Sequence, residues 1–193
     1  MRLAILNEGY GFGTKLLFSF IRLFSRQPVP DAARLIFYRP DFYGAYSKAL
    51  THAAMRGPSA WPVAERELMA AYVSQLNACP FCIGAHTATA TLAAGNEVMV
   101  AAVSADLESA PVDEGLRATL RMLGKLIGDG HLAAEDVRAV LDTGVSREQV
   151  EDALAICCAF NVTNRLANAF GFEIMTTEGF QAGAKYLLRR GYR

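Results

Sequence analysis

The chain has 193 residues, which favours one domain with at most an appended arm. Its hydrophobic content of 52% and mean hydropathy of +0.19 are high for a soluble monomer, so we expect it either to form homo-oligomers or to touch a membrane. The formal net charge is zero, which removes any global electrostatic case for a nucleic-acid partner.

One long stretch without formal charge does not predict a membrane span. Between Glu67 and Glu97 lie 29 residues without Asp, Glu, Lys or Arg, but Gln75, Asn77 and His86 lie among them. Such groups are costly on a lipid-exposed helix. The N-terminal run MRLAILNEGYGFG is short, is interrupted by polar residues and lacks a convincing cleavage site. We therefore expect a cytoplasmic protein without membrane contact, in which thiols are kept reduced.

Helical patterns dominate the first half of the chain. The predicted helices cover residues 14–26, 41–57, 62–78 and 80–95. Proline suits the first turn of a helix, and glycine commonly follows the last turn. Residues 1–30 form the predicted N-terminal arm, whose apolar helix we expect to pack across a subunit interface. Residues 31–193 are expected to form the main domain.

The second half continues the same pattern. The predicted helices cover residues 111–130, 133–144, 146–172 and 177–193. Ser146 and Gln149 have the spacing of a capping box at the start of the third of these. The chain has no alternating strand pattern and no Asn-Gly hairpin turn. The sequence therefore predicts an all-α fold around a central helical hairpin, residues 62–78 and 80–95, which carries little charge and must be buried.

The hairpin also carries the candidate chemistry. Cys79, Cys82 and His86 lie at offsets of zero, three and seven, which places them on one face of its second helix. Cys79 falls at the start of that helix, where free backbone N–H groups and the helix dipole favour a thiolate. His86 can take a proton from Cys82, and Glu67 on the other arm can orient the imidazole. These four residues predict a redox site.

Three other interpretations of the same residues stay open. The four side chains could bind zinc, although structural zinc sites more often combine two ligand pairs from separate loops. The cysteines could be ordinary buried side chains in a non-catalytic, oligomeric binding module. Glu67 and His86 could act as acid and base on a small lactone, without help from the thiols.

The stretch ERELMAAYVSQLNACPFCIGAHTATA resembles the AhpD-like superfamily of alkylhydroperoxidases and carboxymuconolactone decarboxylases. Glu67, Cys79, Cys82 and His86 match the glutamate, the Cys-x-x-Cys and the histidine of its redox branch in order and in spacing. The later stretch NVTNRLANAFGF is similar to a segment of the peroxidase-related members. The resemblance therefore spans residues 41–172, and it makes residues 31–193 an expected AhpD-like all-α domain.

The resemblance implies an all-α homo-oligomer and a peroxidase or disulfide reductase that needs neither metal nor haem, so we expect no cofactor. One thiolate would attack a small peroxide substrate and become a sulfenic acid, and the other cysteine would resolve it to a disulfide. A thiol reductant protein would restore the pair. The helix start argues for Cys79 as the attacking residue. The position of His86 and the family pattern argue for Cys82, which is the assignment we adopt.

One position departs from the family pattern. Pro80 and Phe81 stand between the cysteines, whereas the best-known member has a histidine there. The apolar pair removes one proton carrier, so a slower turnover or a different acceptor is expected. The non-redox decarboxylase branch lacks the Cys-x-x-Cys, which disfavours lactone chemistry for this chain.

Other polar side chains have simpler interpretations. Cys157 and Cys158 are interpreted as buried small hydrophobic residues, because neighbours on a helix point to different sides and a vicinal disulfide is strained. His52 and His131 are expected at the surface. A polar stripe on the same predicted helix consists of Asn161, Asn164, Arg165 and Asn168. We interpret the stripe as a network that fixes helix packing, with a lining of the thiol pocket as the alternative.

Overall fold

The computed structural model describes residues 4–192, and this range contains ten α-helices and no β-strand, which confirms the all-α prediction. Residues 1–3 of the predicted arm, and Arg193 in the main domain, lie outside the described residues. The helices are α1 (Phe12–Ser25), α2 (Asp31–Tyr38), α3 (Ala45–Arg56), α4 (Val63–Leu76), α5 (Pro80–Ala94), α6 (Glu97–Ala105), α7 (Glu114–Asp129), α8 (Ala134–Leu141), α9 (Arg147–Phe170) and α10 (Thr177–Arg190).

Capping residues define the ends of several helices. At the start of α9 the Ser146 hydroxyl accepts the Gln149 N–H at 3.2 Å, and the Gln149 side chain accepts the Ser146 N–H at 3.0 Å. This is the predicted capping box. Helix α5 ends at Gly95, which adopts the left-handed conformation with φ of 64° that closes many helices.

Two helices were not predicted. Helix α2 has only eight residues between two proline-containing segments, and α6 has nine, starting where the Asn96 side chain accepts the Met99 N–H. The helix expected from residue 41 begins instead as a π-helical turn, Pro40–Gly44, in which the Gly44 N–H bonds to the Arg39 carbonyl. Short helices give too few turns for a clear periodicity.

The hairpin of α4 and α5 lies at the centre of the molecule, as its lack of charge predicts. Helix α4 packs against α5, α9, α7 and α3. The large side chains of this core include Leu68, Met69, Val73, Leu120, Leu123, Ile156 and Phe160. Both helices of the hairpin therefore bury most of their circumference, which positions any polar side chain they carry away from solvent.

The segment before α1 attaches the N-terminal arm to the rest of the protein. Leu6 and Tyr10 are buried, and the Arg34 guanidinium donates to the Leu6 carbonyl at 3.2 Å. Helix α1 itself has no buried residue and lies on the surface. None of the helices described in residues 4–192 is both long enough and apolar enough to cross a membrane.

Candidate active site

The turn between α4 and α5 presents the first cysteine. Cys79 is the N-cap of α5, and its N–H donates to the Ser74 carbonyl at 3.0 Å. Ala78 before it has φ of 47°, a left-handed conformation that a residue with a Cβ adopts at a cost. The Asn168 amide stabilises the turn by donating to the carbonyls of Asn77 and Ala78 at 3.2 and 3.3 Å. The position of Cys79 is therefore determined by α9 as well as by the hairpin.

Both cysteines of the Cys-x-x-Cys are free thiols buried under apolar side chains. Cys79 is 0% and Cys82 1% exposed. Their shell consists of Phe81, Ala167, Ala32, Phe172, Met175 and Phe180. The last three come from the α9–α10 connection and from α10, which pack over the start of α5. The shell keeps bulk water away from the sulfur atoms.

The two sulfur atoms differ strongly in acidity. A hydrogen bond from the Cys82 thiol lowers the pKa of Cys79 to about 7 in spite of burial, and the backbone N–H groups of Cys82 and Phe81 add to the effect. The pKa of Cys82 is raised because its thiol is the donor in that bond, is buried, and lies beside the Cys79 thiolate. The structure therefore favours Cys79 as the thiolate, whereas the family resemblance had favoured Cys82 as the attacking residue.

One residue of the polar stripe on α9, Asn164, contacts the thiols. Asn164 is fully buried, donates to the Ser74 hydroxyl at 3.0 Å and accepts from the Asn77 amide at 3.1 Å. It also hydrogen-bonds both thiols, which favours their charged forms. Arg165 is exposed. The stripe thus fixes the hairpin turn, and Asn164 in addition lines the thiol pocket.

A second polar group lies further along the hairpin. Glu67 on α4 is fully buried, and its Oε2 lies 2.7 Å from Nδ1 of His86 on α5. Burial alone would raise the pKa of Glu67, but the hydrogen bond with His86 and the nearby charges lower it below its ordinary value. The ionised carboxylate can only accept, so Nδ1 of His86 carries a proton and donates it in this contact.

Two partners of this carboxylate were missed by sequence reasoning. Nη2 of Arg56, the last residue of α3, donates to Oε1 of Glu67 at 2.6 Å. The Tyr192 hydroxyl, two residues after α10, donates to the same oxygen at 2.9 Å and lies 3.5 Å from Nδ1 of His86. No spacing in the sequence pointed to either, because Arg56 precedes the motif and Tyr192 lies 125 residues after Glu67.

The four predicted residues form two adjoining groups on the hairpin. His86 follows Cys82 by one turn of α5, and its ring packs edge-on against Phe160 at 4.4 Å between centroids. In the described part of the chain no hydrogen bond joins the imidazole to either thiol. Residues 4–192 also contain no set of three His, Cys, Asp or Glu side chains that could hold a metal ion. The arrangement of donors therefore gives the zinc interpretation no support.

The remaining cysteines and histidines differ partly from expectation. Cys157 is buried, and burial raises its pKa to about 11, but Cys158 is exposed. The prediction that Cys158 is buried was wrong, because the next residue on a helix points to a different side. His131 is exposed, whereas His52 is partly buried and its Nδ1 accepts the Tyr192 N–H at 3.3 Å.

Known proteins resemble this chain in part of its sequence and in its fold. Residues 40–123 match the carboxymuconolactone decarboxylase family. The fold resembles an uncharacterized peroxidase-related protein from Silicibacter sp. TM1040, with a TM-score of 0.76, 22% identity and 91% of each chain covered. It also resembles the alkylhydroperoxidase AhpD core of an uncharacterized peroxidase-related protein from Ralstonia eutropha JMP134, with a TM-score of 0.75, 23% identity and 91% of each chain covered.

No curated protein matches the chain by sequence. The matched segment of 84 residues nevertheless contains α3, α4 and α5 entire, and with them all four predicted site residues. The fold is shared with the two solved structures over 91% of the chain. Residues 40–123 therefore resemble the carboxymuconolactone decarboxylase family, and the chain has the fold of the peroxidase-related proteins.

Proposed function

We propose that the protein is a thiol-dependent peroxidase that reduces a small peroxide through Cys79 and Cys82. The main support is the hydrogen-bonded thiol pair, in which the pKa of Cys79 is about 7, so that a thiolate is populated near neutral pH. The thiolate is the reactive form of cysteine. Members of the carboxymuconolactone decarboxylase family, which residues 40–123 match, are enzymes, and this agrees with a catalytic role.

The proposed reaction begins at Cys79. Its thiolate attacks one peroxide oxygen, so that an S–O bond forms, the O–O bond breaks, and an alkoxide leaves. The alkoxide takes the proton of Cys82 and departs as the alcohol. The new Cys82 thiolate then attacks the sulfenic acid at Cys79, forming the disulfide and releasing hydroxide. The two thiols have supplied the two electrons that reduce the peroxide.

His86 and Glu67 handle the remaining proton. The imidazole takes the Cys79 proton through a bridging water when the thiolate forms, and returns it to the departing hydroxide. Glu67 supports this role, because its carboxylate accepts the Nδ1–H and leaves Nε2 to accept the proton. An external thiol reductant protein then reduces the disulfide by thiol–disulfide exchange.

The apolar shell bears on how a substrate enters. Because neither sulfur is exposed, the peroxide reaches Cys79 only when the cover of Phe172, Met175 and Phe180 moves aside. Such a cover excludes bulk water from the thiolate and from the sulfenic acid. It also favours an apolar organic group on the peroxide over a charged one.

The second candidate function uses the polar pair alone. Glu67 and His86 are held together by a 2.7 Å contact whose geometry does not depend on the thiols. An acid–base reaction on a small lactone, of the kind that gives the family its name, would need only these two residues. It predicts an activity that survives replacement of both cysteines.

We also propose that the protein is a homo-oligomer assembled through α1. Seven large apolar side chains of this helix are at least 36% exposed: Phe12, Leu16, Leu17, Phe20, Ile21, Leu23 and Phe24. An apolar surface of this kind is unusual on a monomer and typical of a subunit interface. The partner is then a second copy of this chain.

The experiment is turnover of tert-butyl hydroperoxide with dithiothreitol as the reductant. Wild type should consume peroxide catalytically, and Cys79→Ser should lose turnover by about three orders of magnitude or more, as when a nucleophile is removed. Cys82→Ser should lose most of its turnover, because its sulfenic acid has no resolving thiol and must react with dithiothreitol directly. Cys158→Ser, an exposed thiol outside the site, is the matched control and should keep full turnover.

A sulfenic-acid trap then identifies the attacking residue. With dimedone and one equivalent of peroxide, Cys82→Ser should form an adduct at Cys79, and Cys79→Ser should form none. Undiminished turnover in both serine variants would contradict the redox proposal and favour the lactone chemistry. An adduct at Cys82 instead of Cys79 would reverse the assignment of the two roles.

A further inference from the structure

The chain beyond α10 turns sharply into the protein interior. Gly191 has φ of 68° and ψ of −152°, a conformation essentially limited to glycine. A Cβ at this position would also lie 2.8 Å from the His52 ring. The turn directs the side chain of the next residue, Tyr192, toward the hairpin. The conformation of Gly191 therefore determines where the Tyr192 side chain lies.

The Tyr192 side chain contacts Glu67, Arg56 and His86. Its hydroxyl donates to Glu67 Oε1 at 2.9 Å, beside the Arg56 donor on the same oxygen. Its ring lies under the Arg56 guanidinium, 5.1 Å away, and nearly parallel to the His86 imidazole, 6.3 Å between centroids. Burial and the Glu67 charge raise the pKa of Tyr192 well above its ordinary value, so the hydroxyl stays a donor.

On its other side Tyr192 borders open space. A cavity of about 360 Å³ is lined by Lys48, Ala49, His52, Ala53 and Tyr192. Glu67, which bonds to the same tyrosine, is fully buried and does not line the cavity. The tyrosine therefore stands between the cavity and the carboxylate.

We propose that Tyr192 is a positioning residue for the Glu67–His86 pair. Its hydroxyl fixes the carboxylate so that Oε2 faces Nδ1–H of His86, and its ring keeps water in the cavity away from that bond. The groups facing Glu67 are Arg56 from α3, His86 from α5 and Tyr192 itself. The kinetic part of this inference rests on the proposed peroxidase function, whereas the structural part does not.

The test is Tyr192→Phe, which removes the hydroxyl and keeps the ring that packs against Arg56. The first readout is solvent exchange of the His86 Nδ1–H, followed by NMR on protein with isotope-labelled histidine. The chain has only three histidines, and His86→Asn identifies the signal. A lost hydrogen bond to a charged group should accelerate this exchange by about tenfold or more.

The second readout is steady-state kinetics with tert-butyl hydroperoxide. We expect kcat of Tyr192→Phe to fall by about three- to tenfold, with KM for peroxide unchanged, because the base is mispositioned while the thiols are intact. Tyr186→Phe is the matched control: it lies on α10, is 54% exposed, and should change neither readout.

The outcomes separate the two proposals. Wild-type exchange and wild-type kcat in Tyr192→Phe would overturn the positioning role, even if the variant melts at a lower temperature. Absence of peroxide turnover in wild type would overturn the proposed function alone. In that case the exchange rate of the His86 proton still decides whether Tyr192 positions the pair.

Discussion

At Cys79 two opposing effects decide which form of the sulfur exists near neutral pH. Burial disfavours the thiolate, while the hydrogen bond from the Cys82 thiol, together with the N–H groups at the start of α5, favours it. The hydrogen bonds prevail, and the pKa falls to about 7. The same bond raises the pKa of Cys82. When the pair has lost one proton, Cys79 therefore carries the negative charge and Cys82 keeps the remaining proton.

This balance predicts the effect of Cys82→Ala. In wild type the Cys79 thiolate dominates above about pH 7 and is lost as the pH falls through that value. In Cys82→Ala the hydrogen bond that lowers the pKa of Cys79 is lost, while the burial that raises it remains. The midpoint of the Cys79 titration should therefore rise by about one unit or more toward the ordinary cysteine range. The measurement is thiolate ultraviolet absorbance against pH, with Cys79→Ala as the blank. Cys158→Ala should leave the midpoint unchanged, and an unmoved midpoint in Cys82→Ala would contradict the hydrogen-bond explanation.

Helices α5 and α10 pack closely against each other beside the candidate site. A Cβ added at Gly84 would lie 2.5 Å from the Phe180 ring, so only glycine lets that ring rest on α5 at this point. Phe180 belongs to the apolar shell of the thiols, and α10 leads to Tyr192. Contact between these two helices therefore positions both groups of the candidate site.

This contact predicts that Gly84→Ala destabilises the protein. The methyl group forces the Phe180 ring away, which should lower the free energy of unfolding by about 1–3 kcal/mol, as overpacking does. Gly183→Ala is the control, because a Cβ at that position of α10 meets no atom within 4 Å. It should raise stability by about 0.5–1 kcal/mol through helix propensity. Urea denaturation measures both; equal or greater stability of Gly84→Ala would refute the packing argument.

Elements with strong local signals could be predicted from the sequence, and those without could not. The hairpin was predictable because its lack of charge demanded burial, and α9 because of its capping box. Helices α2 and α6 were missed because eight or nine residues give little periodicity. Arg56 and Tyr192 left no trace in the motif, since tertiary structure alone brings them to Glu67.

At the scale of the whole molecule, contacts within the single chain do not explain why α1 exposes so many large apolar side chains. Its cations are Lys15 and Arg22, and it has no acidic residue. Phe18 faces the body of the protein and packs against Tyr10 and Phe37. The rest of its apolar surface faces outward, although the chain as a whole has enough residues to bury a core. A second subunit is the partner that this surface requires in the proposed assembly.

The assembly proposal predicts that Phe20→Glu combined with Phe24→Glu produces a monomer. The two rings stack at 6.1 Å on the outward face of α1, so two carboxylates there would be buried without partners in any interface formed by this helix. Light scattering coupled to size exclusion, at micromolar protein, should give a multiple of the chain mass for wild type and the single-chain mass for the double variant. Val98→Glu, at a 76% exposed position on α6, should keep the wild-type mass. A monomeric wild type would end the assembly proposal, and a double variant of wild-type mass would place the interface on another surface.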